Sequence, residues 1–536
     1  MVISKVAVDN QHHIIDDVIS GDTPVLRIGL TEYKDSIEFK STGRFSVYNN
    51  EGIAFLKNIS SSSKWRVKIE QSYNARYSYN ILLGKFLDIT EAQDLSYSLL
   101  EKGLGVRIKT LGDKFYYRNK VLNDNSQHWV IVDEFNSAEE AKSFANEVLS
   151  KYQFEIIKEK IKEPGAILEI FDSEYERLGE AENVIRIIPE SKEVEFYIYD
   201  LTIDDGFQMK YNKCRAFRGV LEFRSNDAGK LTIISETPLE EYIAGVIALQ
   251  MKEEIPDEAL KAQAITVRSK IIAGLGINHY NDPYDICAGS HCQVFTGFSV
   301  TSEDIVNAIK ETLGKVLVYD KKVFEANYSL ICGGCTEKHS LINSGIISTL
   351  ETNVFDNSNK SQGEICEDLS DEHNICKWID SEPDVFCNLS GNNELVNLHK
   401  YFRWEVSYSR KELEDIISEK ESKIIGTLYD IIPIERSFSG RLIEIEIIAS
   451  NKNLVIKGEM NIRKILARNM LNSSCFYVKK ELDEDGIPIL FSFCGAGMGH
   501  GVGLCQTGAV IMAQKGFKVN QILNHYFKGT KIKKVY

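Results

Sequence analysis

The fold class is decided by TPLEEYIAGVIALQM at residues 237–251 and by PDEALKAQAITVRSKIIAG at residues 256–274. Both stretches space their apolar residues as a helix does, and the second helix should begin after Pro256 and end near Gly274. Residues 163–235 differ, because short runs rich in β-branched residues alternate there with Gly and Asp turns, as in strands. The change from strands to helices predicts a mixed α+β fold.

Length and composition limit the possible classes of protein. The 536 residues suggest about three domains of about 150 residues each. Hydrophobic residues make up 43% and charged residues 26%, as in soluble globular chains, which argues against a disordered, collagen-like or coiled-coil protein. A net charge of −15 argues against nucleic acid as the main ligand. No run of apolar residues is long enough for a transmembrane helix, and charges interrupt MVISKVAVDNQHHIIDD at residues 1–17, so we expect no signal peptide or membrane segment.

An internal repeat predicts one of the domains. LLGKFLDITEAQDLSYSLLEKG at 82–103 aligns with IVDEFNSAEEAKSFANEVLSKY at 131–152, and a second strand follows each copy. Two such units make a β-α-β-β-α-β, ferredoxin-like domain at residues 78–160. This pattern resembles a SPOR domain, a module that binds peptidoglycan glycan strands without stem peptides. The alternative is an unrelated ferredoxin-like connector.

The other predicted units follow from the positions of strands and polar stretches. Residues 1–23 form an N-terminal segment, and residues 24–72 form a small β unit that belongs to the main domain. That main domain occupies residues 163–536. Its stretch at about 352–398 is rich in Ser, Asn, Asp and Glu and is predicted to be a surface insertion.

Four segments carry a resemblance to a known family. They are LEEYIAGVIALQMKEEIPDEALKAQAITVRS at 239–269, DICAGSHCQVFTG at 285–297, NYSLICGGCTE at 327–337 and GAGMGHGVGLCQTGAVIMAQKG at 495–516. In the same order they resemble the signature blocks of the SpoIID/LytB family, the stage II sporulation protein D and amidase-enhancer group. The resemblance implies a β-rich core and cell-wall chemistry: SpoIID members are lytic transglycosylases of denuded glycan, and LytB members enhance an amidase.

The position of the family's catalytic acid is substituted in this chain. A lytic transglycosylase needs one carboxylic acid that protonates the glycosidic oxygen and then, as a carboxylate, assists ring closure by the sugar's own 6-hydroxyl. The family has this acid in a Glu-Met-Pro block, where this sequence has Gln250, Met251 and Lys252. An amide has no such proton, so a weakly active or inactive member is predicted. The alternative is that the helix runs one more turn and that Glu253 or Glu254 takes over as the acid.

The resemblance also implies residues that contact substrate. Arg268 corresponds to the arginine of the family's second helix, and Thr336 lies in the glycine-rich loop that lines the family's cleft. His500 and Gln506 belong to the block with a glycine at nearly every second position. Such glycines let the backbone approach a ligand or another chain segment closely.

Cysteine spacing predicts a metal site. Cys287, His291 and Cys292 form a C-x₃-H-C cluster that looks like the zinc ligands of clostridial SpoIID members. Thiolates and imidazole suit Zn²⁺, and three protein ligands leave a fourth position open. We expect a structural zinc, and a catalytic zinc of a cell-wall hydrolase is the second alternative. Cys332 and Cys335 form a C-x-x-C that we interpret as a cleft-lining loop, with a disulfide or a second metal site as the alternative.

Together these observations predict a protein of sporulation or wall remodelling that binds denuded peptidoglycan glycan strands. Its predicted partner is an N-acetylmuramoyl-L-alanine amidase. The family implies a location outside the cytoplasmic membrane, at the cell envelope or the sporulation septum.

Overall fold

The computed structural model of the chain describes residues 23–60, 63–203, 213–251, 254–297, 302–341, 368–389 and 396–536. The predicted N-terminal segment, residues 1–23, therefore lies outside the described residues except for its last one. Among the described residues, no helix combines the length and the apolar character needed to cross a membrane.

The first described strands belong to two sheets that are completed later in the chain. They are β1 (Val25–Lys34), β2 (Ser36–Ser41), β3 (Phe45–Tyr48), β4 (Ala54–Ile59) and β5 (Lys64–Tyr73). Apolar residues alternate along β2 and β5, which is typical of strands with one buried face. These strands form no separate unit, because all their neighbours outside this group come from residues beyond 160.

The next elements form the β-α-β-β-α-β domain that the internal repeat predicts. They are β6 (Arg76–Phe86), α1 (Ile89–Leu100), β7 (Arg107–Leu111), β8 (Lys114–Tyr117), β9 (Lys120–Asp124), β10 (Gln127–Phe135), α2 (Ala138–Val148) and β11 (Glu155–Lys162). The four-stranded antiparallel sheet has the order β11-β6-β10-β7, and the β8–β9 hairpin is an addition. Asp88 and Ser137 cap α1 and α2 by accepting hydrogen bonds from backbone N–H groups.

The chain then returns to the two sheets of the main domain. The strands are β12 (Gly165–Phe171), β13 (Arg177–Glu182), β14 (Val184–Pro189), β15 (Glu195–Leu201), β16 (Lys213–Arg218), β17 (Val220–Ser225) and β18 (Leu231–Pro238). β5 and β12 are hydrogen-bonded neighbours, with Tyr73 opposite Gly165, so the repeat domain projects from between two adjacent strands. The sheets pack face to face: Phe39 of β2 lies 5.7 Å from Phe223 of β17, measured between ring centroids.

Helices and short strands follow. They are α3 (Leu239–Gln250), α4 (Asp257–Gly274), β19 (Ile286–Cys287), α5 (Glu303–Glu311), β20 (Lys315–Tyr319), β21 (Lys322–Val323) and β22 (Tyr328–Ser329). β19 extends the first sheet, which has the order β19-β1-β18-β17-β14-β3-β4, and the second sheet has the order β13-β12-β5-β2-β15-β16. The predicted start of the second helix after Pro256 and its end at Gly274 are confirmed.

The last elements build a second core and return to the first. They are α6 (Glu372–Asp380), α7 (Val396–Phe402), β23 (Arg403–Ser409), α8 (Arg410–Glu421), β24 (Leu428–Arg436), β25 (Leu442–Ala449), β26 (Leu454–Lys457), α9 (Glu459–Ile465), β27 (Phe476–Leu482), β28 (Pro488–Ala496), β29 (Leu504–Cys505), α10 (Gln506–Gln514), α11 (Val519–Tyr526) and β30 (Lys531–Lys534). Sheets β23-β28-β27 and β24-β25-β26 enclose a core of their own with α8 and α9. α10 and α11 pack on α4, which is buried on nearly all sides between them, α3 and α5.

The described part of the predicted surface insertion, residues 368–389, is partly buried in the protein. Residues 368–389 contain α6, in which Ile375 and Ile379 are buried, and a following segment in which Phe386 and Cys387 are at most 2% exposed. The polar composition of the whole stretch hides these apolar positions, which pack onto the main domain. The mixed, β-rich α+β class is confirmed.

Candidate functional site

The substituted position, Gln250, lies in a network of polar side chains. Gln250 is the last residue of α3, and its amide Nε2 donates a hydrogen bond to Oη of Tyr328, 3.1 Å away. Its Oε1 accepts from Nε2 of Gln506, also at 3.1 Å. The predicted substrate residue Gln506 thus meets the predicted catalytic position, while Tyr328 escaped the sequence analysis although it lies in one of the four family segments.

Lys270 and His500 extend this network. Nζ of Lys270 lies 5.8 Å from the ring centroid of Tyr328, and burial lowers the pKa of this lysine. Burial also lowers the pKa of His500 well below its usual value, and the positive charge of Lys270 lowers it further. We call Gln250, Lys270, Tyr328, His500 and Gln506 the Gln250 pocket. The His500 imidazole is neutral at pH 7, and its Nδ1 accepts a hydrogen bond from the Val502 N–H at 3.0 Å.

The glycine block, residues 495–503, forms one wall of the pocket. It lies close to the loop that contains Cys332 and Cys335 and to a buried arginine. Gly501 has φ of 75°, and a Cβ there would lie 2.0 Å from Nη2 of Arg441. That guanidinium is fully buried and donates to the carbonyl oxygens of Cys332 and Cys335 at 2.8 and 3.2 Å. The close backbone approach that the glycines predict is therefore an approach to other groups of the protein. It holds the loop with Cys332 and Cys335 against the glycine block.

Thr336 lies in this loop, but the structure encloses it. Its side chain is 1% exposed, and the neighbouring Glu337 is 2% exposed. Glu337 accepts hydrogen bonds from the hydroxyl groups of Ser437 and Ser439 and pairs as a β-bridge with Val502. This arrangement places the segment inside the protein and gives no exposed surface at Thr336 for a substrate contact.

Arg268 has a packing position on α4. Its side chain is fully buried, and Nε and Nη2 donate to the two carboxylate oxygens of Glu240 at 2.8 and 2.6 Å. Nη1 donates to the Lys315 carbonyl at 2.9 Å, and the Tyr536 hydroxyl also bonds Glu240. Bidentate pairing of this kind satisfies both charges inside the protein. In this structure Arg268 therefore joins α3, α4 and β20 and offers no surface to a glycan.

Helix α3 does not extend past Gln250, so it does not carry the candidate replacement acids Glu253 and Glu254. α3 ends at Gln250 because Met251 has φ of −118° and ψ of 86°, and the Met251 side chain is buried. The predicted extra turn is therefore wrong. Glu254 is exposed, and Glu253 lies outside the described residues.

The predicted metal ligands come together, and a fourth donor joins them. Cys287, His291 and Cys292 cluster with His279, and the ligand atoms of all four lie within 4.8 Å of one another. His279 Nε2 is 3.1 Å from His291 Nδ1 and 3.3 Å from Cys292 Sγ, while His291 Nδ1 is 3.6 Å from Cys292 Sγ and 3.9 Å from Cys287 Sγ. We call this set the histidine–cysteine cluster.

The donor set and spacing of this cluster fit Zn²⁺. Tetrahedral zinc with two sulfur and two nitrogen ligands separates neighbouring donors by about 3.3–3.8 Å. The Asp282 carboxylate lies 2.7 Å from His279 Nδ1, the arrangement that fixes the tautomer and orientation of a metal-binding histidine. Hydrogen bonds from Cys292 and the two imidazoles lower the pKa of Cys287, which favours the thiolate that a metal requires. The sequence analysis missed His279 because it lies eight residues before the C-x₃-H-C run.

Comparisons with known proteins match the segments that build both sites. A family model described as Stage II sporulation protein matches residues 227–319, which include Gln250 and the histidine–cysteine cluster. A second model, a domain of unknown function (DUF8618), matches residues 348–503.

Three relatives extend the match at modest identity. An uncharacterized protein of Brachyspira hyodysenteriae is 26% identical over 382 residues, 71% of this chain and 85% of that protein. Stage II sporulation protein D of Bacillus amyloliquefaciens is 26% identical over 313 residues, 56% of this chain and 75% of that protein. The amidase enhancer of Bacillus subtilis is 26% identical over 307 residues, 54% of this chain and 40% of that protein. With the family model, these matches confirm the resemblance of the signature segments to the SpoIID/LytB family.

Proposed function

We propose that this protein binds peptidoglycan glycan strands in the Gln250 pocket without cleaving them, and that it acts in sporulation or wall remodelling as a glycan binder or amidase enhancer. The observation that carries the proposal is the amide of Gln250, held between Tyr328 and Gln506 at the position of the family's acid. An amide provides no proton for the glycosidic oxygen, and loss of a positioned general acid lowers the rate by about 10²- to 10⁴-fold.

The surroundings of Gln250 suit a carboxyl group equally well. The Tyr328 hydroxyl and the Gln506 amide both donate hydrogen bonds when a carboxylate is the acceptor, and burial next to the Tyr328 ring disfavours a free charge. A glutamate at position 250 would therefore find two hydrogen-bond donors for its carboxyl group. This supports a pocket that keeps its shape and lacks only its acid.

An active transglycosylase that uses Glu253 or Glu254 has less support. Glu254 is exposed beyond the end of α3, where solvent favours the charged carboxylate. If it were the acid, Glu254→Ala would abolish release of anhydro-ended sugars. We propose instead that this substitution leaves the protein's glycan binding unchanged.

The histidine–cysteine cluster is proposed to bind a structural Zn²⁺. Four protein donors fill a tetrahedral coordination sphere, whereas catalytic zinc sites keep a position for water. When bound, the metal would supply folding free energy and join the end of α4 to β19. His279 as the fourth donor therefore weighs against the zinc-hydrolase alternative.

The repeat domain is proposed to be a SPOR-like second contact with glycan. Its sheet packs through Trp129 onto Tyr280 of the main domain, with 5.6 Å between ring centroids. A cavity of about 740 Å³ beside this contact is lined by residues of both domains, including Tyr77, Lys158 and His291. Aromatic and cationic side chains suit the faces and hydroxyl groups of sugars. For this function the protein would act outside the cytoplasmic membrane, with an N-acetylmuramoyl-L-alanine amidase as partner.

A sedimentation assay with sacculi tests the proposed function. Wild-type protein should sediment with amidase-treated sacculi, release no sugar products, and bind untreated sacculi less. Gln506→Ala, which removes one partner of Gln250, should weaken sedimentation, whereas Cys214→Ser at an exposed distant site should not. Equal recovery of the protein with and without amidase-treated sacculi would contradict the proposal.

A further inference from the structure

A second cluster of soft ligands lies outside the histidine–cysteine cluster. Cys332, Cys387 and Cys505 come from three distant segments, yet their sulfur atoms all lie within 4.8 Å of one another. The Cys332 and Cys387 sulfur atoms are 3.6 Å apart. All three side chains are at most 1% exposed. We call this set the three-cysteine cluster.

Backbone N–H groups point at two of these sulfur atoms. Cys505 is the N-cap of α10, where its sulfur accepts from the Gly508 N–H at 3.4 Å and from the Cys332 N–H at 3.3 Å. The Cys332 sulfur accepts from the Gly334 N–H at 3.4 Å. These donors and the positive end of a helix stabilise thiolates.

A half-buried cation next to the cluster, Arg403, favours a net negative charge there. The hydrogen bonds described for Arg403 go to four backbone carbonyl groups, those of Gly333, Trp378, Ile379 and Phe402, at 2.9–3.1 Å. The carbonyl dipoles solvate the guanidinium, which also lies over the Phe402 ring at 4.0 Å from the ring centroid. Cys387, Cys475, Cys332 and the carboxylate of Glu382 act on Arg403 electrostatically, so a negative cluster would add to the counter-charge of Arg403.

The spacing of the three sulfur atoms matches metal coordination. Three thiolates about 2.3 Å from a zinc ion lie about 3.8–4.0 Å from one another. Cys335, the second cysteine of the C-x-x-C, belongs to a different apolar cluster with Cys475 and Cys494. The sequence pairing of Cys332 with Cys335 is therefore replaced by a spatial grouping with Cys387 and Cys505.

We propose that Cys332, Cys387 and Cys505 bind a soft d¹⁰ metal ion such as Zn²⁺ through three thiolates, as a second site independent of the histidine–cysteine cluster. Binding of Zn²⁺ to three thiols releases three protons to solvent, fewer where a thiolate is already present, and leaves a complex of charge −1 facing Arg403. The metal would tie the 328–337 loop and the 368–389 segment to the start of α10. Cys505 directly precedes Gln506, so the site would also fix the residue that bonds Gln250.

The test uses ¹¹³Cd²⁺ as the probe, bound to the reduced full-length chain. We expect a cadmium resonance in the range of three-sulfur coordination, separate from any signal of the two-sulfur, two-nitrogen cluster. Cys387→Ser should remove this resonance and lower the bound cadmium by one equivalent per chain. Cys335→Ser, a neighbouring buried cysteine outside the cluster, should retain both.

The wild-type spectrum keeps the proposal falsifiable if Cys387→Ser fails to fold. A wild-type protein without a three-sulfur resonance would overturn it. Detection of a Cys332–Cys387 disulfide that re-forms in the presence of excess cadmium would also overturn it, because two of the three ligands would then be consumed. Loss of only the two-sulfur, two-nitrogen signal in Cys287→Ser would confirm that the two sites are independent.

Discussion

The Gln250 pocket and the histidine–cysteine cluster lie in one domain, yet their chemistry differs. The pocket is neutral at its centre: an amide bridges a tyrosine and a second amide, and the neighbouring histidine is uncharged. The cluster gathers two thiols, two imidazoles and an orienting carboxylate. The chain therefore has a full donor set where the family implies structure and lacks the acid where the family implies catalysis.

The shape of the pocket and its catalytic chemistry are therefore separable in this domain. The buried Arg268–Glu240 pair joins α3 to α4, the Gly501–Arg441 approach lies next to His500, and neither depends on an acid at position 250. A protein that retains these contacts can bind a glycan after the proton donor is lost. Two kinds of experiment test this difference: removal of the cluster's metal and substitution of residues in the pocket.

The largest expected effect on stability comes from Cys287→Ser. Loss of one thiolate should abolish zinc binding at the histidine–cysteine cluster, and at a zinc concentration about a thousandfold above the Kd of that site this lowers the free energy of unfolding by about 4 kcal/mol. Thermal unfolding with saturating zinc measures the change. A chelator should destabilise the wild type more than Cys287→Ser, which retains only the three-cysteine cluster, and Cys214→Ser should behave as wild type. Identical unfolding of all three proteins would remove the contrast between the sites.

Gly501→Ala tests the wall of the pocket. The new Cβ would meet Arg441 at 2.0 Å in a residue with φ of 75°, so we expect a loss of about 2–3 kcal/mol in the free energy of unfolding. Gly486→Ala is the matched control, because Gly486 has the same φ of 75° and nothing within 4 Å of the added Cβ. Urea unfolding measures both variants. Equal losses of stability in the two variants would show that the close approach of Gly501 to Arg441 does not contribute to the effect.

Tyr328→Phe removes the acceptor of the Gln250 amide. The buried N–H group loses its partner, which should cost about 1–2 kcal/mol and weaken binding to denuded sacculi. Tyr116→Phe at an exposed tyrosine should change neither quantity. A variant as stable and as strongly bound as the wild type would mean that Tyr328 does not position Gln250.

The smallest effect concerns pH. The folded pKa of His500 lies below its unfolded value of about 6.5, so above that pH both states are neutral and the full stability is present. As the pH falls below about 6.5, the unfolded chain binds a proton that the folded protein does not. Stability should then fall by up to about 1.4 kcal/mol per pH unit. Urea unfolding from pH 7.5 to 5.5 should show a shallower acid decline in His500→Gln and an unchanged one in His373→Gln, whose histidine is exposed. An unchanged slope in His500→Gln would show that this imidazole binds protons equally in the folded and unfolded states.

Local patterns allowed the sequence to predict much of the fold. The repeat at 82–152 places a helix after each first strand, and the period change at Thr237 places α3 and α4. These features depend on neighbours in sequence, which a periodic pattern records. The alternative of one more turn past Gln250 is wrong, since Met251 leaves the helical backbone region and its side chain is buried by tertiary packing.

The sites were predicted only where their residues are close in sequence. Cys287, His291 and Cys292 fall within six residues, whereas His279 reaches them through the turn that follows α4. Cys332, Cys387 and Cys505 span more than 170 positions, and Cys387 lies in a stretch whose polar composition indicates a surface. Arg268 and Thr336 were assigned to substrate because the sequence cannot show that each is enclosed.

We propose that the missing acid at Gln250 is what separates this pocket from a working transglycosylase. Mass spectrometry of amidase-treated glycan strands, incubated in parallel with the wild type, with Gln250→Glu and with Gln250→Glu/Glu254→Ala, tests it most directly. We predict anhydro-ended sugars from both glutamate variants at about 10²- to 10⁴-fold above the wild-type level. Anhydro-ended products from the wild type at the level of Gln250→Glu, or products of Gln250→Glu that disappear in Gln250→Glu/Glu254→Ala, would contradict this proposal.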